Sequence, residues 1–219
     1  MRPSVHRLRA AFLALTLLAA LGPTAALATD EFDYQPPERD PRGERTRYVD
    51  EAPDIVLQEI WNFLEEQGLT VESVDPQTRL IVARYRGDPR PYIDCGKVET
   101  LAGGQPMEPP RVYSANKDEV RAARTVKGRR IGLLRELRLD GRVAIRVEPR
   151  GKGSRVFSLA TFVATKSVSR LRKGGVVDEL IERETISFMS DEAGQFAKGT
   201  ICISNGKLED LPLQRFRTS

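Results

Sequence analysis

Two cysteines are the residues of this sequence best placed to do chemistry, Cys95 in YIDCG and Cys202 in GTICISNG. Cysteines of exported proteins usually pair in an oxidising compartment, and two cysteines allow a single intramolecular pair. We therefore predict a Cys95–Cys202 disulfide whose Cα atoms lie about 4.4 to 6.8 Å apart. The alternatives are two buried free thiols or a redox pair, although redox pairs typically have the C-x-x-C spacing that this chain lacks.

Two other stretches have residue types that occur in catalytic or nucleotide sites. Asp88, Asp94 and Glu99 cluster around the first cysteine and offer a carboxylate pair for glycoside chemistry, but acidic residues in a loop are usually solvated. The segment GKGS at residues 151–154 is similar to part of a phosphate loop, yet it lacks the upstream glycine and separates two predicted strands. We therefore predict no catalytic, cofactor-binding or metal-binding residue, and we do not expect an enzyme.

A run of basic residues is the best candidate for a binding surface: Arg121, Arg124, Lys127, Arg129 and Arg130. In an envelope compartment such a run can meet acidic lipid headgroups or an acidic protein. The alternative is an exposed charged loop with no partner. Nucleic acid is not expected, because the N-terminus predicts export.

The N-terminus has the pattern of a secretory signal peptide. Arg2, Arg7 and Arg9 precede an apolar run over residues 10–21, which is too short to span a bilayer comfortably. Small residues at positions 26 and 28 predict cleavage after Ala28, so that residues 1–28 are the signal peptide. An uncleaved anchor helix is the alternative. We expect a periplasmic protein without a transmembrane segment after cleavage.

Cleavage changes the composition of the working protein. It would remove three of the 35 basic residues and leave 32 against 31 acidic ones, a formal charge of +1. His6, the only histidine, would also be lost, which excludes a Ser-His-Asp triad or an imidazole zinc site in the mature chain. The remaining length suits one ordinary domain, which we predict over residues 51–219.

Residues 29–50 are rich in proline and charge, and they predict an extended N-terminal tail that buries little apolar surface. Phe32 and Tyr34 are two of its three scattered aromatic residues. They are candidates for anchoring the tail in a partner's groove. The alternative is a linker without a partner.

Periodicity predicts the secondary structure of the domain. APDIVLQEIWNFLEEQG predicts one amphipathic helix that ends at Gly68, with Trp61 in the core, and two strands follow around a turn at Asp75. Residues 103–130 predict a long surface loop with a short helix near 117–124. Alternation predicts strands over 137–148 and 156–166, VVDELIERE suggests a short helix, and Asn205-Gly206 suggests a hairpin turn.

This order of elements predicts an α+β fold in which a mainly antiparallel, curved sheet packs on one amphipathic helix, a helix-grip-like arrangement. Most of the chain from Ala52 to Leu213 resembles an uncharacterised family of exported Gram-negative envelope proteins. The resemblance lies in the helix with Trp61, the strand RLIVARY running into GDPRPYIDCG, the strand ending in ATFVATK, and the closing ISF and GQFAKGTICISNGKLE. The order of helix and strands also resembles the helix-grip domains of the outer-membrane assembly lipoprotein BamC, although this chain lacks a lipidated cysteine.

The resemblance to BamC-like domains implies a non-catalytic accessory that binds other envelope proteins, partly through an extended N-terminal tail. We therefore predict a periplasmic protein-interaction module without a cofactor, whose partner is another envelope protein and which can contact anionic lipid peripherally. The alternative is a carrier that holds a small apolar ligand or lipid between helix and sheet.

Overall fold

The computed structural model describes residues 32–41, 43, 45–102, 105–126 and 129–216. These residues form an α+β structure dominated by antiparallel strands, as the sequence predicts. The elements, in chain order, are β1 (Phe32–Gln35), β2 (Arg45–Val49), α1 (Pro53–Glu66), β3 (Thr70–Asp75), β4 (Leu80–Gly87), β5 (Ile93–Asp94), β6 (Lys97–Ala102), β7 (Gln105–Ser114), β8 (Glu119–Val126), β9 (Arg129–Arg150), β10 (Gly153–Leu171), β11 (Val177–Met189), β12 (Ala193–Gln195), β13 (Ile201–Ser204) and α2 (Lys207–Gln214).

The long hairpin of β9 and β10 is the axis of the largest sheet, which has the order β11-β10-β9-β4-β3. Along one stretch of this hairpin, β4 pairs with residues 139–146 of β9 and β2 pairs with residues 154–158 of β10. Along the other stretch, β8 pairs with residues 129–136 of β9 and β11 with residues 161–171 of β10. We call this second stretch, with β8 and β11, the distal half of the sheet.

Both helices lie on the first half of the sheet. Helix α1 contacts β3, β4, β9 and β10, and α2 contacts α1, β2, β9 and β10. The apolar stripe that predicts α1 is buried there, with Val56, Ile60 and Leu64 fully enclosed. Trp61 is a correction, because its side chain is 36% exposed and its indole N–H donates to Glu65 at 3.0 Å on the helix surface. No helix among the described residues is long and apolar enough to cross a membrane.

Strict alternation in β9 and β10 accounts for the sheet's inner face. In β9 the odd-numbered residues Leu137, Leu139, Val143, Ile145 and Val147 are all buried. The intervening side chains of this stretch are exposed or only partly buried. One face of the hairpin therefore carries the core, as the sequence predicts for an antiparallel sheet with one face in water.

Two smaller sheets complete the fold, with orders β1-β6-β7 and β12-β13-β5. The second contains the predicted disulfide, because Cys202 lies on β13 and Cys95 follows β5. The pairing is confirmed, with both residues fully buried. Their Cα atoms are 4.0 Å apart, slightly closer than the predicted range.

Several sequence-based expectations about local structure are wrong. The segment predicted as a surface loop over 103–130 contains β7 and β8, and residues 117–124 form no helix. VVDELIERE belongs to β11, and Asn205-Gly206 leads into α2, with Gly206 at its N-cap, φ +81°. Pairing with the next strand of a hairpin overrides the local pattern in β8 and β11, which flank β9 and β10.

The predicted N-terminal tail is also part of the fold over its described residues. Strand β1 pairs with β6, and β2 pairs with β10. Gly96 allows β1 to approach closely, since a Cβ at this position would lie 2.1 Å from the carbonyl oxygen of Gln35. Residues 32–35 and 45–49 therefore extend two sheets instead of standing free of the domain.

Candidate binding site

A cavity of about 130 Å³ lies between the strands β1 and β6 and the inner face of the distal half of the sheet. Its apolar lining consists of Val98, Leu133, Val168 and Ile181, and its polar lining consists of Tyr34, Arg135, Lys166, Glu182, Lys198 and Thr200. The cavity therefore has an apolar part and a strongly charged part.

The alternation that builds the core also carries two cations into this cavity. Arg135 lies two residues before Leu137 on the buried face of β9, and Lys166 lies two residues after Ala164 on the buried face of β10. The cations occupy core positions beyond the part of the sheet that the helices contact. Strand geometry fixes this placement, because every second side chain points to the same face.

Arg135 is the least compensated charge of the site. Its side chain is only 6% exposed, and its Nη2 donates to the carbonyl oxygen of Ala115 at 2.7 Å. Its Nη1 is buried and has no hydrogen-bond partner among the described residues. Burial lowers the pKa of the Arg135 guanidinium to about 10, with Tyr34 opposing the shift slightly, so the group stays charged at neutral pH.

Lys166, in contrast, is well compensated although it is only 5% exposed. Its Nζ lies 3.2 Å from a carboxylate oxygen of Glu182 and 3.2 Å from one of Glu184, and 4.7 Å from the ring centre of Phe196. Glu182 also pairs with Lys198. Burial alone would raise the pKa of Glu182, but hydrogen bonds from Lys198 and Lys166 outweigh it and hold that pKa below its usual range.

The charges around the cavity do not cancel. Lys166 and Lys198 face the carboxylates of Glu182 and Glu184, which leaves Arg135 without a carboxylate partner among the described residues. The site therefore carries one surplus positive charge at its most buried point. A buried charge of this kind normally needs a paired anion or several hydrogen bonds.

Tyr34 closes one side of the cavity and corrects the prediction that it anchors the tail on a partner. Its hydroxyl donates to the carbonyl oxygen of Ile201 at 3.1 Å and accepts from the Ile201 N–H at 2.8 Å. Burial raises the pKa of the Tyr34 phenol, against a smaller opposite effect of the Ile201 backbone. Phe32 lies on β1 with Tyr34 and pairs with Thr100 of β6. The side chain of Phe32 lies outside the described residues.

The predicted basic surface lies on the β8–β9 hairpin instead of a loop. Arg121 is exposed, and it pairs with Glu119 and donates to the carbonyl oxygen of Gly175 at 3.0 Å. Arg129 is exposed at the start of β9. Three further residues lie wholly or with their side chains outside the described residues: Arg124, Lys127 and Arg130.

A second surface feature was not predicted from the sequence. Four apolar residues at the β10–β11 turn and the start of β11 are between 48 and 64% exposed: Val176, Val177, Leu180 and Ile181. The other large exposed apolar residues of the described chain are scattered along the sequence. We call these four residues the hairpin patch, and Ile181 belongs both to it and to the lining of the cavity.

The other residues with candidate chemistry have local structural roles. Asp88 accepts hydrogen bonds from Arg90, and Asp94 accepts one from the Gly96 N–H at 2.8 Å. Glu99 lies on β6 opposite Asp33. The turn over 151–152 joins β9 to β10, where Ser154 donates to the carbonyl oxygen of Glu51 at 2.7 Å. No group of His, Cys, Asp and Glu side chains within the described ranges is suited to hold a metal ion.

The two buried cations could have been found by extending the alternation of each strand. The sequence predicts strands over 137–148 and 156–166, and the two inner-face positions at their ends hold Arg135 and Lys166. A basic residue on the buried face of a strand is unusual. No signal in the sequence places β1 over them, because its partner β6 is 60 or more residues away along the chain.

Comparison with known proteins adds no assignment. No protein-family model matches the chain, and no curated protein or solved structure is significantly similar to it.

Proposed function

We propose that this chain is a non-catalytic protein-interaction module of the cell envelope, and that another envelope protein docks on the hairpin patch. The observation that carries this proposal is the exposure of four apolar side chains within six residues of one hairpin. Single exposed apolar residues are normal, whereas a contiguous apolar patch marks an interaction surface. The patch therefore replaces the tail and the basic run as the docking surface.

The form of β11 supports docking through side chains. Within the described residues, β11 pairs only with β10, so its other edge has no strand partner, although Ala197 and Lys198 contact it at Glu184 and Glu182. However, the β10–β11 ladder shifts register twice beside the patch, between Val168 and Ser169 and between Arg170 and Leu171. Such irregularities disturb the regular row of backbone groups that an added strand needs. We therefore expect the side chains of Leu180 and Ile181 to contribute more to partner binding than main-chain hydrogen bonds do.

The packing of the interior favours this proposal over a carrier that holds a lipid between helix and sheet. The inner residues of α1, among them Val56, Ile60 and Leu64, are fully buried in one cluster with Ile81 and Val143 of the sheet. The helix-grip arrangement and the resemblance to BamC-like domains remain predictions. Both are consistent with a binding role, but the proposal does not depend on them.

Export to the periplasm is part of the same proposal. It rests on the basic and apolar residues of the N-terminal 28 positions and on the Cys95–Cys202 disulfide, since disulfides persist in oxidising compartments. N-terminal sequencing of the protein recovered from a periplasmic extract should begin at Thr29. Recovery of the protein in the cytoplasm with Met1 retained would contradict export.

The docking surface can be tested by photo-crosslinking in cells from position 177 of the hairpin patch, in the wild-type background and in Leu180→Asp. We expect a crosslinked envelope protein, and we expect Leu180→Asp to reduce its co-purification about fivefold or more, as truncation of a buried contact residue does. Ile55→Asp is the matched control, because Ile55 is similarly exposed at 53% but lies on α1. Its partner set should not change.

Three results would contradict the proposal. Leu180→Asp could retain every crosslinked protein, or Ile55→Asp could lose the same proteins as Leu180→Asp. In the third, the purified protein binds anionic vesicles, Leu180→Asp loses that binding, and no crosslinked protein is found in cells. This result would make the patch a lipid-binding surface.

A further inference from the structure

The cavity behind the hairpin patch contains an unmet hydrogen-bonding need. Arg135 is 94% buried, its Nη2 has a backbone partner, and its Nη1 has none among the described residues. A guanidinium is planar and matches a carboxylate with two parallel donors. A carboxylate in the cavity would pair with this guanidinium and neutralise the surplus charge.

The size and lining of the cavity restrict the anion. A cavity of about 130 Å³ is slightly smaller than an engineered cavity of about 150 Å³ that binds benzene. Val98, Leu133 and Val168 supply apolar lining, and Leu133 and Val168 lie next to the cations on β9 and β10. An inorganic anion would leave this apolar lining uncovered, whereas a ligand with a short apolar body would cover it and displace water.

We propose that this cavity binds a small organic monocarboxylate with an apolar body of about three to four carbon atoms, whose carboxylate pairs with the guanidinium of Arg135. Lys166 is neutralised by Glu182 and Glu184, which leaves Arg135 as the cation that the carboxylate meets. A single negative charge matches the single surplus positive charge. A dianion would bring an uncompensated charge into a buried site.

The entrance lies on the side of the hairpin patch. Among the lining residues, Ile181 is 52% exposed, and the side chain of Lys198 is also more than half exposed. Arg135 and Lys166 are at the buried end. A carboxylate entering head first would pass Lys198, so the positive potential increases toward the site where the carboxylate binds.

The test is calorimetric titration of the purified, oxidised protein with pentanoate. We expect saturable binding, and we expect pentan-1-ol and inorganic phosphate each to bind at least tenfold more weakly, because the alcohol lacks the charge and phosphate lacks the apolar body. Arg135→Met should weaken pentanoate binding at least tenfold, since a hydrogen bond between charged groups is lost. Arg138→Met is the control, because Arg138 lies on the same strand with its side chain exposed.

A second variant keeps Arg135 in place in case Arg135→Met does not fold. Val168→Phe should fill part of the cavity and reduce pentanoate binding, while near-ultraviolet circular dichroism remains that of a folded protein. Leu180→Asp should bind pentanoate normally, which separates failure of this proposal from failure of the docking proposal. The carboxylate site is refuted if pentanoate does not saturate the wild-type protein, if pentan-1-ol or phosphate binds equally well, or if folded Arg135→Met or Val168→Phe binds pentanoate unchanged.

Discussion

Removal of the Cys95–Cys202 disulfide should be among the most damaging changes to this fold. The two cysteines are 107 residues apart along the chain, and the enclosed segment contains every strand from β6 to β12. In the chain-entropy description, opening a loop of that length costs about 4 to 5 kcal/mol of stability. This is a large share of the roughly 5 to 15 kcal/mol by which domains are stable.

The double variant Cys95→Ala/Cys202→Ala should therefore lower the melting temperature by about 10 to 20 °C, given a shift of roughly 2 to 4 °C per kcal/mol for a chain of this size. Both cysteines are fully buried, so the alanines also remove packing. Urea unfolding of three samples separates the two effects: oxidised wild type, wild type reduced with dithiothreitol, and the double variant. Reduction alone keeps the sulfur atoms and isolates the cross-link.

A small difference would refute this reasoning. If the reduced wild-type protein is within about 1 kcal/mol of the oxidised form, the loop is already closed in the unfolded state, or the reduced fold compensates for the cross-link. An m-value equal to that of the oxidised protein would favour the first explanation, because an unfolded chain that expands on reduction would give a larger m-value. The expected result is a clear decrease in the midpoint on reduction and a further, smaller decrease in the double variant.

Two further predictions concern the docking of β1 and the charges on the outer face. Gly96→Ala should destabilise the protein more than Gly68→Ala in urea unfolding. Both glycines have positive φ, but only a Cβ at position 96 would meet the Gln35 carbonyl oxygen. Equal losses of stability in the two variants would mean that β1 does not depend on this contact. A hydrogen bond from Arg84 holds the pKa of Asp140 below its usual value, so its contribution is present above about pH 4 and is lost as the pH falls through the folded pKa. Asp140→Asn should lower the urea midpoint at neutral pH and reduce its fall in acid, and parallel pH profiles of variant and wild type would contradict this.

The parts of the fold that the sequence predicts well are those with a strong local period. The apolar stripe of α1 and the alternation of β9 and β10 are both found as predicted. Trp61 is the exception on α1. It lies at the edge of the apolar stripe, where the helix faces solvent and Glu65 accepts its indole N–H.

Strands β8 and β11 could not be predicted in the same way, although each pairs with a strand next to it in the chain. The apolar residues of β11 are spaced as in a helix. Val177, Leu180 and Ile181 are exposed, so this spacing does not mark a buried face of the strand. Among the described side chains of β8, one apolar residue, Val120, is fully buried, and the strand pairs with β9 along its whole length. In both strands, the ladder to a long neighbouring strand determines the structure more than the strand's own side chains do.

The candidate site depends on pairing between strands that are far apart in the sequence. The disulfide could be predicted from the cysteine count alone, whereas the cavity requires β1 and β6 to cover the distal half of the sheet. Tyr34 shows the difference most clearly. In the sequence it is an aromatic residue in a polar tail, and in the structure its hydroxyl binds both polar groups of the Ile201 backbone.

The two proposed binding functions share one residue, and this makes them thermodynamically linked. Ile181 contributes to the hairpin patch and to the lining of the cavity, so a protein that covers the patch also covers the side from which a carboxylate would enter. If the bound carboxylate changes the affinity of the protein for its partner by some factor, the bound partner must change the affinity for the carboxylate by the same factor. If the docked protein only covers Ile181, it slows release of the carboxylate without changing its equilibrium affinity. A change in affinity requires that the partner contact Ile181 differently when the cavity is filled, and Ile181→Ala should then remove the coupling while Arg135 still binds the acid.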